Sequence, residues 1–306
     1  MVLINVVAPI YNEQGLIKEF VNQVITALEK ITDNFKIILV DDGSIDKSWD
    51  EISEVCLNNN KIVGIKLSKN FGHHYAITAG IHNSEGEWVV VMDSDLQDRP
   101  EVIPELFQKT QEGYDVVFVS RTHRSEKIWY SISQKIFYFL LSILSGIKFN
   151  SSEANFSIIN KKVVDAYKQF PEQARFYGST VTWLGFKRAS IKAKHGARFS
   201  GKPSYTLRKR FKLASDIILS FSDRPLKFAV NLGLFISLIS FLILIWIFLR
   251  VIFGGFTVVG WASLMASLFL IGGIVIFILG IIGVYISKVF GEVKRRPLFI
   301  IETKIN

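Results

Sequence analysis

The stretch Val90-Val91-Met92-Asp93-Ser94-Asp95-Leu96-Gln97-Asp98 is an apolar run that ends in two carboxylates one residue apart. On extended backbone, side chains at i and i+2 project to the same side, so Asp93 and Asp95 reach into one space. Such a pair suits two tasks at once. One carboxylate can hold a sugar hydroxyl, and the other can ligate a hard divalent cation that also takes substrate phosphate oxygens. A cation there offsets the charge of a departing nucleoside diphosphate as a bond to a sugar breaks. An Asp-X-Asp pair also occurs as a plain helix cap, so its place at a strand end is what gives it weight. Two other strand ends carry acidic loops. In Ala8-Pro9-Ile10-Tyr11-Asn12-Glu13, the proline fixes the loop, the tyrosine ring can stack on a base, and Glu13 can bind base or ribose. In Val40-Asp41-Asp42-Gly43-Ser44-Ile45-Asp46, Asp42 can accept a hydrogen bond from a base. The same residues are good turn formers, and Asp46 is a natural N-cap.

The elements that must position these loops alternate. Apolar runs at Ile4–Ala8, Phe35–Val40, Ile62–Leu67, Trp88–Met92 and Asp115–Ser120 read as five strands. Helical spacing is found at Gln14–Ile31, Lys47–Cys56, Tyr75–Asn83 and Pro104–Glu112. Short, continuously apolar strands between helices predict an α/β fold with a largely parallel sheet covered on both faces. Ligands of such sheets bind at the carboxyl ends of the strands, where the three acidic loops lie.

The chain has 306 residues, 49% of them hydrophobic, and the excess is concentrated near the end. Phe228–Leu249 and Ala262–Ser287 carry no charge, and a short glycine-bearing turn joins them. About 20 apolar helical residues cross a hydrocarbon core of about 30 Å, so two spanning helices are expected. The alternative is a pair of helices buried in a soluble core. Arg208, Lys209, Arg210, Lys212, Arg224 and Lys227 precede the first segment, and Lys288, Lys294, Arg295 and Arg296 follow the second, against Arg250 alone between them. This asymmetry puts both ends on the cytoplasmic side of a cell membrane. The net charge of +9 is then directed at anionic headgroups rather than nucleic acid. Ile128–Leu144 and Ser204–Phe221 are amphipathic and suit a membrane interface or packing on the sheet. The expected organisation is a cytoplasmic domain over 1–203, an interfacial segment over 204–227, a two-helix membrane domain over 228–290 and a tail over 291–306. A single cysteine, Cys56, excludes an intrachain disulfide. His73-His74 reads as a loop near the nucleotide rather than a zinc site. Gly272, Gly273, Gly280 and Gly283 read as close-packing positions between membrane helices.

Pro9-Ile10-Tyr11-Asn12-Glu13, Val40-Asp41-Asp42-Gly43-Ser44, Leu67-Ser68-Lys69-Asn70-Phe71-Gly72 and Met92-Asp93-Ser94-Asp95-Leu96-Gln97 together resemble the motif series of inverting, A-type glycosyltransferases of family 2. The resemblance is to the polyprenyl-phosphate branch, which includes bactoprenol glucosyl transferases and dolichyl-phosphate mannose synthases. It continues through Val119-Ser120-Arg121, Trp183-Leu184-Gly185-Phe186 and Arg198-Phe199-Ser200-Gly201-Lys202-Pro203-Ser204-Tyr205 to the two apolar segments. It implies a Rossmann-like A-type glycosyltransferase domain followed by interfacial helices and two C-terminal transmembrane helices. Pro9, Tyr11, Glu13 and Asp42 would line the base and ribose pocket, with Ser94 beside them. Asp93 would contact the ribose and Asp95 would hold Mg²⁺ or Mn²⁺ on the diphosphate. Gln97 and Arg198 would approach the phosphates or donor sugar, and Arg121 the acceptor phosphate. The implied donor is a nucleotide-sugar, UDP-glucose first and GDP-mannose second, and the acceptor is undecaprenyl phosphate or a related lipid. Assembly into a homo-oligomer is compatible with the two spans.

Two departures stand out. Many relatives have an acidic residue where this chain has Asn155, and some have an arginine where it has Trp129, four residues before Ser133. Lys127 or Lys135 can substitute for the latter. A lipid phosphate is already an anion, so its oxygen can attack without a strong general base, and Asp98 is at most a spare carboxylate. A processive polysaccharide synthase would need more spans and a Gln-X-X-Arg-Trp-type motif. A non-catalytic nucleotide-sugar scaffold would not need the intact Asp93/Asp95 pair. The absence of charge within either apolar segment argues against a transporter.

Overall fold

The computed structural model describes residues 2–121, 153–173, 175–193, 224–253 and 260–306. Arg198, the Ser131–Lys135 region with Lys127 and Trp129, and the amphipathic stretches Ile128–Leu144 and Ser204–Phe221 lie outside the described residues. The chain forms an α/β unit, which takes in Arg296–Asn306, and a separate helical unit.

The α/β unit begins as the apolar runs predict: β1 (Ile4–Ile10), α1 (Ile17–Leu28), β2 (Phe35–Asp41), α2 (Ser48–Asn58), β3 (Ile62–Leu67), α3 (His73–His82), β4 (Trp88–Val91), α4 (Ile103–Thr110) and β5 (Val116–Arg121). It continues with β6 (Glu153–Asn160), α5 (Lys161–Gln169), α6 (Tyr177–Trp183) and β7 (Arg188–Ala193), and ends with β8 (Ile301–Ile305). The sheet has eight strands in the order β7-β5-β6-β4-β1-β2-β3-β8. Its centre, β4-β1-β2-β3, is parallel, as expected. The expectation of a largely parallel sheet holds there and at the far edge, where β5 and β7 also run parallel. β6 inserts antiparallel between β4 and β5, and β8 runs antiparallel along β3.

Every residue of β1 is buried, because helices cover both faces of the sheet. Ile4, Val6, Ala8 and Ile10 join one core with α1, while Val7 joins the other with α3 and α5. That is the period-two alternation of a strand, here with both sides apolar. α1 buries Ile17, Phe20, Val21, Val24, Ala27 and Leu28 along one stripe. Each large side chain so buried contributes about 1.5–3 kcal/mol. On the other face α3 lies very close to the sheet. A Cβ at Gly80 would collide with the side chain of Val7 and sit 3.2 Å from Val40 Cγ2, so only glycine allows this approach.

The stretch expected as a tail over 291–306 is therefore partly structural. Ile301–Ile305 closes the open edge of β3, with Lys304 Nζ donating to Asn83 Oδ1 (3.1 Å) and Asn306 Nδ2 to the carbonyl of Cys56 (2.8 Å).

The helical unit contains α7 (Arg224–Ile252) and α8 (Trp261–Val293), which enclose the two uncharged segments. Leu270–Val293 is long and apolar enough to cross a membrane, with mean hydropathy 2.6, and none of its apolar window is buried. Helices of a soluble core would bury such residues, whereas Leu270, Ile276 and Phe277 are exposed. The four glycines of α8 expected at helix contacts meet no described atom within 4 Å of a built Cβ.

Candidate active site

The parallel strands β4, β1 and β2 end on one edge of the sheet, in register. Ile10 pairs with Asp41 and Val7 with Val91. The loops that follow β1 and β4 enclose a cleft of about 140 Å³ lined by Pro9, Ile10, Tyr11, Glu13, His73, Asp93, Ser94 and Asp95. Of the site residues predicted from sequence, Pro9, Tyr11, Glu13, Asp93, Ser94 and Asp95 are thus brought together. Gln97 sits one turn on, with its backbone N–H donating to Asp95 Oδ1 (3.0 Å). Leu96, between them, takes a left-handed φ of 58°, which turns the chain sharply after the carboxylates. Arg121 is the last residue of β5.

The β1 loop is fixed by side chains of the β2 loop. The N–H groups of Asn12 and Glu13 donate to Ser44 Oγ (3.0 Å) and Ser48 Oγ (2.9 Å), and that of Gln14 donates to Asp46 Oδ2 (3.1 Å). Asp46 Oδ1 also accepts from Ser48 N–H (3.0 Å), although the residue at the N-cap of α2 is Lys47 rather than Asp46. Tyr11 keeps 46% of its surface exposed at the cleft, so its ring is open to a stacking partner.

Asp42, expected among the base contacts, is not part of the lining. Its carboxylate is buried and accepts from the N–H groups of Phe71 (2.8 Å) and Gly72 (2.9 Å to Oδ2). Burial raises its pKa although those two N–H groups oppose the rise. It fixes the entry to α3, where Gly72 has φ of 112°, a conformation that side chains other than glycine strain to adopt. α3 starts two residues earlier than Tyr75, the predicted first residue, and this puts both histidines in its first turn.

The two histidines diverge. Burial, with the adjacent His73, pushes His74 down to about 3, so it is neutral, and its Nδ1 accepts from Tyr177 N–H (3.4 Å). His73 faces the cleft, with Nε2 3.2 Å from Asp93 Oδ1 and 3.2 Å from Asn155 Nδ2. Burial alone would lower its pKa, but Asp93, Asp42 and Glu13 outweigh that and raise it. No local pattern signals this contact, because Asn155 reaches His73 through the insertion of β6 beside β4.

Glu13 is the second perturbed group. Burial, with help from Asp95 and Asp93, lifts its pKa to about 7. Ser94 Oγ lies 2.7 Å from the Pro9 carbonyl and also contacts Glu13 Oε2. One hydroxyl hydrogen cannot serve two acceptors. A protonated Glu13 resolves the conflict by donating to Ser94 Oγ, which then donates to Pro9. Here the acid's folded pKa lies above its unfolded value of 4.5, so stability is present below pH 4.5 and declines as pH rises to about 7. At about 1.36 kcal/mol per unit the loss is about 3 kcal/mol. Glu13→Gln mimics the protonated state without titrating. Without cation or nucleotide, its melting temperature should equal wild type near pH 4.5 and exceed it by several degrees at pH 8. Equal melting at both pH values would contradict the proton on Glu13.

The model of the glycosyl transferase family 2 matches residues 5–168, more than half of the chain. The chain belongs to this family. It is 36% identical over 299 residues to the uncharacterized glycosyltransferase YkcC of Bacillus subtilis (strain 168), covering 97% of this chain and 93% of that protein. It is 31% identical over 300 residues to the bactoprenol glucosyl transferase of Shigella phage SfII, covering 98% and 97%. It is 30% identical over 302 residues to the undecaprenyl-phosphate 4-deoxy-4-formamido-L-arabinose transferase of Photorhabdus laumondii, covering 98% and 93%. The fold is that of glucosyl-3-phosphoglycerate synthase from Mycobacterium tuberculosis, solved with Mn²⁺, UDP and glucosyl-3-phosphoglycerate, at a TM-score of 0.51 and 19% identity over 72% of this chain and 78% of that one. The protein is thus a glycosyltransferase with an A-type, Rossmann-like catalytic fold on a mixed sheet.

Among the described residues no group of three or more His, Cys, Asp or Glu side chains has the geometry to hold a metal ion. The cleft instead offers the carboxylate of Asp95, two positions on from Asp93. That donor set fits a hard cation bound jointly by protein and substrate phosphates, and does not fit an all-protein cage.

Proposed function

We propose that the protein transfers a hexose from a nucleotide-sugar, glucose from UDP-glucose in the first instance, to the phosphate of a polyprenyl lipid, with inversion at the anomeric carbon. The observation that carries this reading is the acidic cleft at the ends of β1 and β4, in a chain aligned over nearly its full length with transferases named for bactoprenol and undecaprenyl phosphate. α7 and α8 then cross the cell membrane as two spans, with the α/β unit and both ends on the cytoplasmic side, where their flanking basic residues favour them.

In this reading Tyr11 stacks on the base and Glu13 meets base or ribose. Asp42 acts at one remove by fixing the loop that carries His73. Asp93 holds the ribose, and Asp95 faces the diphosphate. Mg²⁺ or Mn²⁺, held by Asp95 and the diphosphate, would neutralise charge on the leaving group. Gln97 and Arg198 approach the phosphates or donor sugar, and Arg121 draws the acceptor phosphate in. The acceptor anion is its own nucleophile, so the residues serve to position two anions rather than to remove a proton.

Membranes containing the protein should transfer radiolabelled glucose from UDP-glucose to added undecaprenyl phosphate, and EDTA should stop the reaction. Labelling from GDP-mannose alone would keep the reaction class and change the donor. A folded protein that labels no lipid from any nucleotide-sugar would sink the proposal.

A further inference from the structure

The cleft is lined by three carboxylates, Glu13, Asp93 and Asp95, yet by the reading above it receives a nucleoside diphosphate, itself an anion. His73 is the one side chain among the described lining residues that can carry positive charge. Its place is well determined. Asp42 fixes the backbone at Phe71 and Gly72, and α3 starts at the next residue. Gly80 then seats the same helix against β1 and β2, so the ring cannot move far from the strand ends.

Its Nε2 has two neighbours at 3.2 Å, Asp93 Oδ1 and Asn155 Nδ2. A single ring nitrogen serves them differently. Carrying hydrogen, it can donate to Asp93 Oδ1 at 3.2 Å. Bare, it accepts from Asn155 and leaves Asp93 facing a lone pair. The surrounding carboxylates favour the hydrogen-bearing state.

We propose that His73 is a positioning residue for donor binding, which donates from Nε2 to Asp93 Oδ1 and so turns the carboxylate toward the nucleotide ribose. Asn155 Nδ2 lies at the same nitrogen and competes with Asp93 for it only when Nε2 is bare. The inference rests on the proposed ribose contact of Asp93. Asp93 meets the ribose with one oxygen while the other is held, which is the fixed geometry that a hydroxyl pair demands. An acidic residue in place of Asn155 would compete for the same hydrogen.

The test is UDP binding to the purified full-length protein in detergent with Mn²⁺, by titration calorimetry, with GDP titrated in parallel. His73→Ala should weaken the bound nucleotide about tenfold. His73→Gln, whose amide can donate to Asp93 without titrating, should recover to within about threefold of wild type. Asp93→Asn should weaken binding, and adding His73→Ala to it should cost little more, because the two act as one unit. A purely structural role for His73 would lower the melting temperature of the alanine variant, and glutamine would not restore binding. The inference is overturned if His73→Ala binds like wild type, if His73→Gln is as weak as alanine, or if the His73 and Asp93 effects multiply. If wild type binds neither UDP nor GDP, the nucleotide-sugar reading falls and this inference with it. If wild type binds and His73→Ala does too, only the inference falls.

Discussion

Asp95→Asn should lower sugar transfer by at least about 10³-fold while leaving the fold intact. The expected size follows from where the charge develops. A diphosphate leaving group gains negative charge in the transition state, and a fixed counter-charge aimed at it typically supplies the largest single share of the rate enhancement. Asp95 lines the cleft with Asp93 and Ser94, and its Oδ1 accepts from Gln97 N–H at 3.0 Å. Asparagine is isosteric and keeps that bond through its own carbonyl, so the chain turn at Leu96 should survive. The amide no longer carries the charge a hard cation requires. The measurement pairs transfer rate with Mn²⁺ binding in the presence of UDP, the latter by electron paramagnetic resonance. Both should collapse together, with melting unchanged. Transfer within tenfold of wild type would remove Asp95 from the cation site and with it the proposed handling of the leaving group. Asp93→Asn provides the contrast, because it should act mainly through nucleotide affinity.

What the sequence disclosed, and what it hid, follows from how many neighbours each segment needs. β1 to β4 are buried on both faces, so their apolar runs announce them without reference to anything distant. The acidic loops follow from the same fact, since the chain must turn polar where it leaves the sheet. β7 and β8 lie at the two edges of the sheet. In Arg188–Ala193 only Ile191 is buried, and Ile301–Ile305 has no fully buried residue. Segments with so little apolar content give almost no periodic signal. Asn155 stands out in the sequence as a departure from relatives, but not as part of a strand. The antiparallel insertion of β6 is what carries Asn155 to His73, 82 positions away. Asp42 shows the converse. Its motif was legible, but its partners on the β3–α3 loop, the N–H groups of Phe71 and Gly72, were not.

β8 is where this blindness has the largest consequence for stability. Ending the chain after Arg296 should destabilise the α/β unit by about 3–5 kcal/mol. The deletion removes the ladder along Gly64–Leu67, in which Gly64 faces Ile305 and Leu67 faces Ile301. It also removes the Ser68 N–H bond to the Ile300 carbonyl (3.0 Å), the contact of Lys66 with Glu302 (3.4 Å), and the Phe299 ring beside His82 (5.8 Å between centroids). The ion pair is largely exposed and counts for little. The main losses are the burial of Phe299 and Ile301, which pack on the α3 core, and net backbone hydrogen bonds of about 1 kcal/mol each. The edge of β3 would be left with unpaired donors and acceptors, a template for pairing with other chains. At about 2–4 °C per kcal/mol for a domain of this size, melting in detergent should fall by about 10 °C, with aggregation on heating. A Phe299→Ala/Ile301→Ala double variant keeps the ladder and removes only the side chains, so it should show part of the drop without the aggregation. A truncated protein that melts within about 2 °C of wild type would mean that β3 tolerates an open edge and that β8 contributes nothing to the fold.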